Sequence, residues 1–218
     1  MKTLLLLFSI LLCVSACDEN KKQGQFPCEN GESTVMAEPV RKDTIIDADY
    51  TFDEAVMGTK APQSIISQLE LFDVFYHSTD GQIHKGQILS NKKIAEEIRA
   101  LFLFMLNEEF VVDKAIPIVR YNWNDSLSMA DNNSYSFCYR NIAYSRHASG
   151  MAIDINPRFN PLRWKKVNRP SRPAGAVSDT TVNGTLHPAH PVVKEFRKKG
   201  FRWGHTFSQY YDDHHFEK

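Results

Sequence analysis

Residues 69–105 place two different periodicities back to back, and this restricts the fold more than any other stretch. In LELFDVFYHSTDGQIHKGQIL, Leu69, Leu71, Val74 and Phe75 supply apolar strand positions. Asp80-Gly81 supplies a turn, and Ile83 and Ile88 lie on the return. Such a run predicts an antiparallel hairpin. Asn91 is then a good N-cap for KKIAEEIRALFLFML, in which Ile94, Ile98, Leu101, Phe102 and Met105 recur at three- and four-residue spacing. That spacing predicts an amphipathic helix whose stripe belongs to the core. His77 and His84 flank the hairpin turn and are expected to be exposed.

The rest of the chain is more irregular. IPIVRY reads as a short strand, and NWNDSLSMADNNSYSFCYRN as an ordered loop rich in Asn, Ser and Asp. MAIDI reads as a strand. After it, Pro157, Pro161, Pro170, Pro173, Gly175 and Gly184 predict a long loop as far as Leu186. HPAHP, with His187 and His190, reads as a loop beside a helix start rather than as a metal pair. PVVKEFRKKG predicts a helix closed by Gly200, and FRWGH and HHFE are short strand-like pieces. Helices and hairpins are segregated, which predicts an α+β domain. Lys+Arg and Asp+Glu both number 26, so no basic excess points to nucleic acid.

The N-terminus has a separate character. MKTLLLLFSILLCVSAC carries one lysine, an apolar run from Leu4 to Val14 and then small residues. The run is shorter than the roughly 20 residues that span a bilayer, so residues 1–16 read as a signal peptide. VSAC resembles a bacterial lipobox, with Cys17 as the acylated residue of a membrane-anchored lipoprotein. Residues 17–61 read as a polar tether, and 62–218 as the folded domain. Cys13 leaves with the signal, so Cys28 and Cys138 are the remaining thiols and could pair in an oxidising envelope.

Two clusters carry the chemistry. SRHASGMAID runs from Ser145 to Asp154. If the strand begins near Gly150, then Gly150, Ala152 and Asp154 share one face. The small residues would leave room for an ion beside Asp154, and a turn could fold His147 over the same face. The second cluster is DDHHFE, where a turn would bring Asp212 near His215. One of these residues could hold metal while another accepts a proton. The residues alone do not choose between His214 and His215. Aromatic residues Phe207, Tyr210, Tyr211 and Phe216 interleave the charges and predict packing rather than a solvated tail.

SRHASGMAID resembles the S-x-H-x-x-G-x-A-x-D motif of the D-alanyl-D-alanine carboxypeptidase family of zinc peptidases, and AIDINPRFNP resembles its endolysin-like branch. GFRWGHTFSQYYDDHHFE and DNNSYSFCYR are similar to the family's ending and to the segment before its first motif. The resemblance covers roughly residues 69–217. It implies a hedgehog/DD-peptidase-like fold, a small antiparallel sheet with packed helices around a zinc cleft. It also implies one zinc held by His147, Asp154 and His215, with Asp212 as the catalytic carboxylate and Arg140 on the substrate carbonyl or oxyanion. Ser145, Trp203 and His205 would support the site or touch substrate. The family's second glycine after the tryptophan is His205 here, and a tryptophan two residues on is Phe207. The implied partners are peptidoglycan stem peptides, cut as a D,D-carboxypeptidase or an L-Ala–D-Glu endopeptidase. The implied setting is the bacterial envelope, periplasmic or surface-facing, with the protein as a monomer. The alternative is a non-catalytic zinc-containing binding module of the same fold.

Overall fold

The computed structural model describes residues 44–142 and 144–218. In chain order, strand β1 (Ile45–Ile46) and helices α1 (Phe52–Val56) and α2 (Gln63–Ile66) precede the hairpin β2 (Leu69–His77) and β3 (Ile83–Asn91). Helix α3 (Lys92–Asn107), strand β4 (Lys114–Ala115), helix α4 (Asp125–Ala130) and strands β5 (Asn133–Ser134), β6 (Ala152–Asp154) and β7 (Leu162–Trp164) follow. Helix α5 (Pro191–Lys198) and strands β8 (Arg202–Trp203), β9 (Tyr210–Asp212) and β10 (His215–Glu217) end the chain. This is the α+β class that the segregated patterns predict. Among the described residues no helix is long and apolar enough to cross a membrane.

The hairpin is antiparallel in unbroken register, from Leu69 opposite Asn91 to His77 opposite Ile83. Alternation gives it two apolar faces. Phe72, Val74, Tyr76 and Ile88 meet the buried stripe of α3, which is Ile94, Ala95, Ile98, Leu101, Phe102 and Met105. Leu69, Leu71 and Leu89 face the other way, against Phe52, Ala55, Val56 and Ile65. This second face corrects the tether expectation for residues 44–61. Strand β1 pairs in parallel with β3, and Thr51 and Glu54 form a capping box on α1. A sparse apolar set within a polar composition suffices once the hairpin offers a surface for it. The expected signal peptide, Cys17, Cys28 and the rest of the expected tether lie outside the described residues.

Other expectations are revised locally. IPIVRY is a 3-10 helix over Ile118–Tyr121 that follows Pro117, whose lack of an N–H disfavours a ladder position. The Asn-rich segment holds α4, capped by the Asn124 side chain accepting from Leu127 N at 3.1 Å. The long loop contains β7, which pairs with β9. His84 is buried between Asp47 and Asp80, 2.9 and 3.1 Å from their carboxylates, because β1 brings Asp47 over the hairpin.

A second sheet has the order β6-β10-β8 and is antiparallel throughout. Alternation divides its faces by function. Ile153, Phe216 and Trp203 point into the main core, where Phe216 stacks on Phe196 of α5 at 3.9 Å between ring centroids. Asp154 and His215 are direct cross-strand neighbours, so they share the opposite face.

The two halves are stitched where α3 begins. Asn91 N and Ser90 Oγ both donate to Gly150 O at 3.0 Å, and Asn91 Nδ2 donates to Ser149 O at 3.0 Å. Gly150 itself has φ +69°, and a Cβ there would lie 2.8 Å from Asn91 N and 3.0 Å from Leu69 Cδ2. The glycine thus makes room for the helix start, not for an ion as its strand placement predicted. Strand β6 begins only at Ala152, because the left-handed Gly150 ends the turn that carries His147. Gly150→Ala is expected to lower stability by about 1–3 kcal/mol, measured as a lower denaturant midpoint at unchanged slope. An unchanged midpoint would show that this approach tolerates a side chain.

Candidate metal centre and catalytic cleft

His147 sits on a 3-10 turn, Arg146–Ser149, that folds back before β6. Its Nε2 comes within 3.1 Å of Asp154 Oδ1 and 3.0 Å of His215 Nδ1, and His215 Nδ1 is 3.0 Å from the same carboxylate oxygen. All three residues are buried. One ligand atom from each therefore meets at a single point.

The outer nitrogens decide what that point wants. His147 Nδ1 lies 2.6 Å from the Ser136 carbonyl, which can only accept, so this nitrogen carries the proton. Ser136 is held in turn, its Oγ donating to Ala152 O at 2.6 Å. His215 Nε2 lies 3.1 Å from Glu217 Oε2, and Glu217 titrates low because His215 bonds to it. In neutral rings the two inner nitrogens are then lone pairs, facing each other and a carboxylate. Three converging acceptors fit a cation. A proton is drawn to the same point when no metal cation fills it. Burial disfavours charge on His215, but the bonds to Asp154 and Glu217 outweigh it and hold the pKa up to about 10. Burial likewise opposes ionisation of Asp154, yet His147, His214 and His215 keep it well below the ordinary carboxylate range. Two imidazoles and one carboxylate are the donor set of a catalytic zinc with an open position. Partners on the outer nitrogens are the usual support for such ligands.

The centre faces a cleft of about 310 Å³. Asp212, Arg140 and Ser145 line it, together with Tyr135, Phe207, Tyr210, His214 and Glu217. Asp212 is carried to the end of β9 by its pairing with Leu162. Its Oδ1 is buried, and His214 Nε2 lies 3.0 Å away. His214 is anchored at Nδ1, 2.7 Å from Asn160 O. Burial opposes its charge, but Asp212 and Asp154 raise its pKa to about 9. Arg140 donates to Asp125 at 3.1 Å and to the Tyr135 hydroxyl at 3.4 Å, and its buried Nε has no partner. Tyr135 also bonds to Asp125 and stacks on His147.

Trp203 and His205 do not line the cleft. Trp203 is buried beneath it, with Nε1 donating to Asp213 O at 2.8 Å. His205 stacks on Trp203 with ring centroids 4.4 Å apart, and its Nδ1 is 2.6 Å from buried Asp213. The turn at 212–215 needs Gly204 below it, since a Cβ there would lie 2.6 Å from Asp212 O and 3.2 Å from His215 Cβ. Cys138 is a buried thiol raised to about 12 by burial, and among the described residues it forms no disulfide. Glu217 and Asp125 were not singled out as site residues from the sequence, and His214 stood there only as the alternative to His215. Glu217 did leave a signal there, two positions after His215 and so on the same strand face.

Residues 140–218 match the family model described as D-alanyl-D-alanine carboxypeptidase. The match starts at Arg140 and takes in His147, Asp154, Asp212 and His215. It is narrower than the 69–217 span of the sequence resemblance, and the hairpin and α3 lie outside it. No curated protein and no solved structure matches the chain. The carboxypeptidase-like segment thus carries a buried His-Asp-His group suited to one metal ion.

His147→Ala and His215→Ala should each remove most of the bound metal from purified protein. Glu217→Gln should keep the stoichiometry and weaken affinity by about 10–100-fold, measured against a chromophoric chelator. Full metal retention in both alanine variants would overturn the ligand set.

Proposed function

We propose that the protein is a zinc metallopeptidase that hydrolyses amide bonds in peptidoglycan stem peptides. The observation that carries this reading is Asp212, a carboxylate whose buried Oδ1 has His214 Nε2 3.0 Å away, in the same cleft as the His147–Asp154–His215 group. A binding module has no need of such a group, whereas a hydrolase needs a base beside its metal. When bound, zinc supplies Lewis-acid polarisation of carbonyl and water.

The chain's own residues supply the rest. Asp212 takes a proton from the attacking water as its oxygen bonds to the carbonyl carbon. It then delivers that proton to the amine nitrogen as the C–N bond breaks. His214 Nε2, 3.0 Å from Asp212 Oδ1, holds the carboxylate. Arg140, braced by Asp125 and Tyr135, offers its guanidinium to the oxygen on which negative charge grows. Ser145, just before the His147 turn, supports the cleft wall, while Trp203 and His205 support the catalytic turn from behind.

Asp212→Asn should lower hydrolysis of purified peptidoglycan fragments about 10²–10⁴-fold, followed by mass spectrometry of the products, with metal content unchanged. Wild-type turnover in that variant would assign the base elsewhere. A zinc-loaded wild type that cuts no stem peptide would end the peptidase reading.

We further propose that residues 1–16 are a signal peptide and that Cys17 is acylated, which would tether the enzyme beside the polymer it cuts. A fatty-acid analogue should label the wild type and not Cys17→Ser. Label retained in the variant would place the anchor elsewhere.

A further inference from the structure

Arg140 lines two cavities, the cleft beside the metal centre and a second one of about 590 Å³. Three separate segments build the second. Lys60 comes from the connection between α1 and α2, and Asn122 and Trp123 follow the 3-10 helix at Ile118–Tyr121. Tyr139 and Asn141 flank Arg140 itself.

The shape of this cavity is enforced. Asn122 and Trp123 are consecutive residues at positive φ, +51° and +62°. Asparagine tolerates that region, but a bulky side chain there is strained. Such strain persists only where the surroundings fix it, and it gathers at ligand sites. Here Trp123 Nε1 donates to Met57 O at 2.9 Å, and its ring stands edge-on to Phe137 with centroids 5.8 Å apart.

The lining is polar and aromatic. No acid lines it, and no Leu, Ile, Val or Met. Arg140 is already paired with Asp125. Among the described residues, the side chains of Lys60, Asn122, Tyr139 and Asn141 form no hydrogen bond or ion pair within the protein. The two carboxamides and the phenol can both donate and accept. A ligand that offers hydroxyl and amide groups uses both capacities. The negative face of an aromatic ring also attracts the polarised C–H groups of a sugar ring. An extended peptide would instead call for apolar side-chain pockets or a free strand edge.

We propose that this second cavity binds a neutral sugar unit. The substrate is then a peptide still attached to a sugar chain, with its scissile amide at the metal centre and its sugar past Arg140. The inference deepens the peptidase reading and rests on it for cleavage only.

An NMR titration of the full wild-type chain with an N-acetylglucosamine tetramer, which has no stem peptide to cut, tests the site. The tetramer should bind, and Asn122→Gly/Asn141→Ala should weaken binding about 10-fold, as expected for two lost hydrogen bonds. Glycine keeps the positive φ at 122, and the thermal midpoint checks the fold. Tyr139→Phe removes only a hydroxyl and should weaken binding about 3–10-fold, whereas Lys198→Gln on α5 should bind as wild type does. No binding by the wild type, or undiminished binding in both cavity variants, would overturn the inference. So would a sugar-free stem tetrapeptide whose binding falls equally in those variants, since the cavity would then belong to the peptide. Hydrolysis separates the two readings. Tetramer binding without cleavage of any stem peptide sinks the peptidase and keeps the sugar site. Equal cleavage of bare and disaccharide-bearing peptides, with no tetramer binding, does the reverse.

Discussion

A carboxylate sealed from water organises this protein. Asp154 is 3% exposed and surrounded by the rings of His147, His214 and His215. A buried charge is tolerated only when it is paired and hydrogen-bonded. Here the pairing runs outward in layers, from Asp154 to the imidazoles, then to Ser136 O, Glu217 and Asn160 O. Each layer fixes the ring inside it. The result is a point where positive charge is favoured before any ligand arrives, next to an open cleft.

Strand alternation is what lets this polar centre exist inside a small domain. Asp154, His215 and Glu217 occupy one face of the second sheet, while Ile153 and Phe216 fill the core behind it. The two sets cannot drift, because a one-residue slip of β10 would exchange His215 for Phe216. Two glycines close the remaining gaps. Gly150 brings the His147 turn against the start of α3, and Gly204 lets the 212–215 turn lie on β8. The hairpin and α3, which lie outside the family match, act as the wall on which the motif rests.

The departures at His205 and Phe207 have a structural sense. His205 takes a place between Trp203 and Asp213, and Asp213 also binds Arg163 of β7. This buried cluster joins β7, β8 and the 212–215 turn, so the 162–172 loop is tied to the same residues that position Asp212. Phe207 faces the cleft, beside His215 at 5.8 Å between centroids.

Much of this was legible in the chain itself. The hairpin, the α3 stripe and the Asn91 cap follow from short-range periodicity and capping chemistry, which need no partner to be recognised. SRHASGMAID and DDHHFE marked the candidate ligands because histidine and carboxylate at those spacings have few other uses in combination. Tertiary structure decided the rest. His214 and Glu217 acquire their places only when β10 meets β6, and Arg140 meets Asp125 only when α4 forms. The polar run at 44–61 read as tether because its few apolar residues have no face to cover until the hairpin exists. The basic loop is unremarkable as sequence, since charge runs are usually solvated. Its place at the mouth of the cleft depends on the Leu162–Asp212 pairing, a contact fifty residues apart along the chain. Local energetics select the elements, but only the packing of distant segments determines which side chains share one cleft.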